Sequence, residues 1–291
     1  MEYLILKSMI EGTHLAIYAT IKPGTYHRLM IEPGIDYLLS NTISSTEYLV
    51  EAIEIGEKIR KGELAATTFN LGQLLARSLR EAYRWLPHRV DPSYIIPQII
   101  YSLAISHSDI DSVINDAGKL KRSLELFLSK RSWREIKYFL DSLKSIHRTD
   151  MYEHITSAGG ISHLIGIEGE VSFNDVFRVL SSKWPAFRSL DLREFNMVEY
   201  VKKLLTHYRK YNNANNAVIA LYLEIIYPRL PTWAKKEVDE AVKEGLMMSK
   251  AGSKKLFELD LKLRKQNILF HEYTGLLSII TSLAVYEGLR P

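Results

Sequence analysis

The residues with most chemical potential fall in four short stretches. Lys22-Pro23-Gly24, followed by Thr25-Tyr26-His27-Arg28, joins an ammonium to a proline and a glycine. Glycine lets backbone N–H groups approach a ligand closely, so this turn with Lys22 could hold a phosphate. The same three residues also make an ordinary helix stop. Asn70, Gln73, Arg77, Arg80 and Arg84 recur at spacings of three and four, which puts them on one helical face. Guanidinium groups pair bidentately with phosphate oxygens, so the stripe suits a triphosphate; its other reading is a solvated outer face. Gly72 belongs to the same stretch, in Asn70-Leu71-Gly72. Gly159 and Gly160 could present a nest of N–H groups to an anion, or simply link two helices. Asp260 and the pair His271-Glu272 complete the set, and His27, His163 and His271 each lie in or beside one of these segments.

Standard motifs are absent. His271-Glu272 starts like a metalloprotease helix, but the position of the second imidazole is Gly275. Gly245 to Lys254 lacks the glycine spacing of a phosphate loop. Asp109, Asp111 and Asp116 lack the glycine and terminal glutamate of a calcium loop, and Ser108 with Asp109 reads as a helix cap. The chain has no cysteine, which excludes disulfides, thiolate catalysis and cysteine-bound zinc or iron–sulfur sites.

What must position these residues is a set of helices. In 291 residues, 46% are hydrophobic and 25% charged, enough to bury a substantial core. The 38 basic and 34 acidic side chains are interspersed, and the net charge of +4 suits an anionic small molecule better than nucleic acid. Met1 to Lys7 does not read as a signal peptide, and the apolar stretch Leu276 to Tyr286 is too short to span a bilayer. A cytoplasmic location without membrane attachment is expected, and a homo-oligomer stays open. Helical periodicity recurs throughout, with no sustained alternation of strand type. Helices are expected over Glu2–Ile21, from Ser44 or Ser45 to Gly62 with Ser44 and Glu47 as a capping box, over Ala66–Leu86, and over Ile99–Ser106 after Pro92 and Pro97. Others follow over Ser108–Ser129, Ser132–His147, Ser172–Lys183, Leu192–Tyr211, Ala214–Tyr227, Thr232–Met248, Ser253–Gln266 and Glu272–Glu287. Pro33-Gly34 marks a turn, and the glycines from Gly159 to Gly169 a loop. The basic run Lys202-Lys203 with His207-Tyr208-Arg209-Lys210 alternates with Met197, Val201, Leu204 and Tyr208, as in an ordinary amphipathic helix. The fold class is therefore all-α, a single domain over residues 1–291 built as an orthogonal bundle of roughly a dozen helices.

Four patterns in order carry a family likeness: Lys22-Pro23-Gly24 with Thr25-Tyr26-His27-Arg28; Thr68-Phe69-Asn70-Leu71-Gly72; Asp150-Met151-Tyr152 with Ile155 and Ala158-Gly159-Gly160-Ile161; and Asp260 with Leu263-Arg264 before an apolar helix ending Tyr286-Glu287-Gly288. In this succession the chain resembles the triphosphoribosyl-dephospho-CoA synthase family, in its short archaeal-type members. The resemblance implies an all-helical enzyme that joins the triphosphoribosyl group of ATP to the ribose 2′-hydroxyl of 3′-dephospho-CoA and releases adenine. It further implies Mg2+ as companion of the ATP triphosphate. Lys22, Gly24, Asn70, Gly72, Gly159 and Gly160 are the expected nucleotide-binding residues, with His27, Arg28, Arg77, Asp260, His271 and Glu272 as further polar groups.

The chain also departs from that family. Ala16 stands where members carry a glutamate, Thr25-Tyr26 follows the glycine in place of Asn or Leu with Val, and Thr68-Phe69 replaces an Asn-Thr pair. The C-terminal signature Asn-Pro-Gly-Thr-Thr-Ala-Asp-Leu reads Phe270-His271-Glu272-Tyr273-Thr274-Gly275-Leu276-Leu277, without its asparagine and aspartate. Three readings follow: a transferase with altered substrate, a catalytically inactive protein that binds a nucleotide or CoA-like molecule, or, on its modest basicity alone, a helical scaffold or nucleic-acid-associated protein.

Overall fold

The computed structural model describes residues 2–30, 34–157, 161 and 170–291. Among them are fourteen α-helices, three short 3-10 turns and no sheet, the one β-bridge joining Arg131 and Ser172. The expected all-α class is what the chain forms. The helices are α1 (Glu2–Tyr18), α2 (Ile35–Ser44), α3 (Thr46–Arg60), α4 (Leu71–Trp85), α5 (Pro92–Ser108), α6 (Ala117–Leu128), α7 (Trp133–Ser145) and α8 (Thr149–Thr156). They continue as α9 (Phe173–Ser181), α10 (Met197–Tyr211), α11 (Ala214–Ile226), α12 (Thr232–Lys243), α13 (Lys250–Lys265) and α14 (Tyr273–Tyr286). No helix among the described residues is long and apolar enough to cross a membrane.

Two helices form the centre because their sequences are apolar all round. Every residue of α14 is buried, and α5 is buried from Pro92 to Ser106. A helix with no polar face must be enclosed by neighbours. Accordingly α1 packs along α14 and α3 along α5, α10 and α11 also touch α14, α4 touches α5, and α7 packs on α4 and α12 on α13. One continuous hydrophobic core runs from Ile5 in α1 to Leu289 beyond α14.

Several boundaries differ from the sequence reading, each for a local reason. The helix expected from Ala66 begins at Leu71, because Asn70 in an extended conformation accepts from the Gln73 amide at 2.8 Å and so caps it. The helix expected from Ile99 already starts at Pro92, with the Asp91 carboxylate capping the Ser93 amide. Pro97 lies within it and removes one bond, the one its amide would donate to residue 93. Ser44 ends α2 rather than opening a capping box, and its hydroxyl donates to the Asn41 carbonyl. The capping box occurs instead at Ser172 and Asp175. Asp109 is no N-cap: it closes α5 in the left-handed conformation. Helices α2 and α8 were not anticipated.

Candidate functional site

The turn that follows α1 brings most of the sequence-predicted residues together. Lys22 is wholly buried, and its Nζ donates to the carbonyls of Ile17 and Ala19, both at 2.9 Å. These carbonyls belong to the open C-terminal end of α1, where a helix dipole favours a donor. Burial pulls the Lys22 pKa well below the ordinary lysine value. Lys22 therefore closes a helix and does not face a ligand. Gly24 takes a φ of +75°, which glycine adopts without strain. Its amide donates to Asp260 Oδ1 at 2.7 Å and its carbonyl accepts from the Phe270 amide at 2.8 Å. The preceding Pro23 carbonyl accepts from the buried Tyr222 hydroxyl at 2.7 Å.

Asp260, on α13, is the hub. Both of its oxygens accept from Arg264 Nε, at 3.0 and 2.9 Å, and Oδ2 lies 3.3 Å from His27 Nε2. Burial raises the pKa of this carboxyl, but the hydrogen bonds from His27, Arg264 and Gly24 outweigh it, and the net shift is downward. Because Asp260 is thus an anion that only accepts, His27 Nε2 is the donor in this contact. His27 Nδ1, in a ring 3% exposed, has no hydrogen-bond partner. Arg264 Nη2 also reaches the Thr25 carbonyl at 2.5 Å, and Thr25 Oγ1 meets Thr274 Oγ1 at 2.9 Å. Tyr26 stacks on His271 with ring centres 4.0 Å apart, while Glu272 is exposed. Arg28 is exposed and carries no ion pair among the described residues; with His14, Tyr18, Asn213 and Asn215 it lines a cavity of about 240 Å³.

Asn70, Gly72 and Arg77 lie apart from this cluster. A Cβ on Gly72 would stand 2.0 Å from the Glu135 carbonyl oxygen, so this glycine allows α4 to pack directly on α7. The Glu135 carboxylate accepts from the Gly72 amide at 3.4 Å and pairs with Lys130 Nζ at 2.5 Å. Arg77 is half exposed, paired with Glu51 and placed over the Tyr48 ring. Arg80 and Arg84 are exposed, in keeping with a solvated face. A cavity of about 280 Å³ adjoins Asn70, Gln73 and Arg77, and no residue of the Asp260 cluster lines it. Gly159, Gly160 and His163 lie outside the described residues.

Three features had no place in the sequence reading. Tyr222 and Thr274 hold the turn from within apolar helices. A cavity of about 710 Å³ is an open groove on α10, α11 and α12, lined by Lys203, His207, Lys210 and Lys243 with Glu224 and Asp239. Its α10 wall is the basic run read as an ordinary amphipathic face. Glu224 pairs with Lys203 at 3.3 Å and with His207 at 2.7 Å, so much of its charge is internally balanced.

Magnesium binding calls for carboxylate oxygens free to coordinate. Both oxygens of Asp260 are engaged by protein donors, and the buried turn does not fit the ion. Protein-family models, curated proteins and solved structures were all compared with the chain, and none of them matches it.

Proposed function

We propose that the chain is a nucleotide-using pentosyl transferase of the kind its sequence resembles, with His27 as general base. The observation that supports this best is the His27–Asp260 pair, which leaves Nδ1 without a hydrogen-bond partner. In the reaction implied by the resemblance, the 2′-hydroxyl of dephospho-CoA attacks C1′ of the ATP ribose. The bond from C1′ to adenine breaks, adenine departs with that electron pair, and the hydroxyl proton must be taken up. An imidazole held by a carboxylate through one nitrogen offers the other for that proton. Arg28, exposed and next to His27 in the chain, is a cation suited to a phosphate. Such substrates place the protein in the cytoplasm. The residues do not call for a metal at Asp260, and no step is assigned to one.

A second reading, a binding protein without catalysis, is favoured by the enclosure of His27, 3% exposed, and of Lys22, 0% exposed. Chromatography of adenine released from ATP and dephospho-CoA separates the two. The transferase releases adenine, and His27→Asn slows release by about 100-fold or more. Thermal stabilisation by either nucleotide without adenine release supports the binding protein. Neither stabilisation nor release at millimolar nucleotide rejects both.

A further inference from the structure

His88 and His147 face one another at the ends of two packed helices. His88 follows α4 and His147 follows α7, and these helices pack side by side. Both residues have a left-handed backbone, with φ of 61° and 60°. A side chain with a Cβ resists that conformation, and helix ends that need it usually carry Gly or Asn. Elsewhere among the described residues this conformation falls to Asp109, Asn212 and Asn267, and once to Leu246. At the two ends that meet, the chain carries histidine.

The two rings are placed for a shared ligand. Their centres are 5.1 Å apart with planes inclined by 34°, and Tyr83 packs against both at 5.6 Å. Two imidazoles that share an ion through nitrogens at about 2.0–2.1 Å, near the tetrahedral angle, have ring centres roughly 5 Å apart. Neither ring makes a hydrogen bond within the described residues, so their nitrogens are uncommitted, and both side chains are exposed to solvent. The nearby cation Arg148 is balanced by Asp150 at 2.9 Å and Asp91 at 3.6 Å. Those carboxylates are committed to the guanidinium. The described residues hold no group of three or more metal-ligating side chains, so an ion here has two protein ligands and completes its shell with water.

We infer that His88 and His147 form a binding site for a divalent transition-metal ion, which clips the C-terminal ends of α4 and α7 together. Imidazole nitrogen selects zinc, nickel or copper over magnesium and calcium. An ion that binds only the folded chain stabilises it.

Calorimetric titration of the chelator-stripped chain with zinc chloride tests the site, alongside melting curves in zinc and in magnesium chloride. Zinc binding and a raised melting midpoint are expected, with no effect of magnesium. His88→Asn and His147→Asn keep a residue that accepts the left-handed backbone, and circular dichroism verifies their fold. Each should weaken zinc binding by roughly tenfold or more, while His207→Asn leaves it unchanged. No heat and no shift of the midpoint at millimolar zinc overturns the inference. So does zinc affinity that both His88→Asn and His147→Asn retain, or that only His207→Asn loses.

Discussion

His27 and Asp260 stand 233 residues apart in the chain and meet with Nε2 3.3 Å from Oδ2. Their contact ties the turn after α1 to α13, with Arg264 and the Gly24 amide completing the shell of the carboxylate. The folded-state pKa of Asp260 lies below its unfolded value. Its contribution to stability is therefore fully present above the unfolded pKa of about 3.9 and is lost as pH falls through that value toward the folded one. Asp260→Asn, which removes the buried charge that Arg264, His27 and the Gly24 amide all bond, should cost about 3 kcal/mol at neutral pH. Denaturant midpoints recorded against pH should show the gap between wild type and variant closing below about pH 4. A gap that is constant with pH would mean that the charge of Asp260 contributes nothing.

Lys22 titrates with the opposite sign of effect. Burial lowers its folded pKa, so between that value and the unfolded pKa of about 10.4 the unfolded chain holds a proton that the folded chain has shed. Stability conferred at this position must rise with pH across that window. Lys22→Met keeps the stem and abolishes the titration. The stability of wild type relative to Lys22→Met, measured in urea from neutral pH to about pH 10, should climb steadily. Parallel curves would show that Lys22 stays protonated in the fold, held by the carbonyls of Ile17 and Ala19.

Asn70 and Gly72 allow a test of cap against ligand. Aspartate caps a helix as well as asparagine does, so Asn70→Asp should keep stability while Asn70→Ala loses about 1 kcal/mol. If Asn70 touched a phosphate, Asn70→Asp would repel it. Stabilisation by ATP, read as a shift of the melting midpoint, should be the same in Asn70→Asp as in wild type. Gly72→Ala forces a Cβ against the Glu135 carbonyl and should cost about 1–3 kcal/mol, with the loss visible in urea. A smaller loss would show that α4 can move away from α7 without penalty.

How much of this was legible depends on the range of the interaction. Periodicity gave the helices and the burial of α14, because those depend on neighbours three and four positions away. Local chemistry accounts for Ser132, whose side chain caps α7 as its position suggested. The joining of Gly24, His27 and Asp260 was visible only as membership of separate motifs, since nothing in a linear pattern says that α13 crosses the turn after α1. Lys22 misled because a lysine in a proline–glycine turn has the chemistry of a phosphate ligand, and only tertiary burial shows that its Nζ is used by α1 itself. His88 and His147 carried no signal, since neither sits in a pattern and their left-handed backbones appear only in the fold.

One signal in α14 was present but unread. Thr274, Ser278 and Ser282 recur every fourth residue in an otherwise apolar helix, so they share a face. Each bonds to the α1 side of the molecule: Thr274 to Thr25 at 2.9 Å, Ser278 to Thr13 at 2.8 Å, and Ser282 to the Met9 carbonyl at 3.2 Å. Gln98 of α5 donates to both Thr13 and Ser278, while its own Oε1 has no partner. Removing one hydroxyl leaves buried polar atoms of the others unsatisfied, which costs about 1–3 kcal/mol. Removing both leaves an apolar contact, with Gln98 and the Thr42 hydroxyl to accommodate. Thr13→Val and Ser278→Ala should therefore each destabilise in urea, and the double variant should lose less than the sum, by roughly 0.5–3 kcal/mol. Strict additivity would show that the hydroxyls are independent and that packing of α1 on α14 alone holds the centre of the fold.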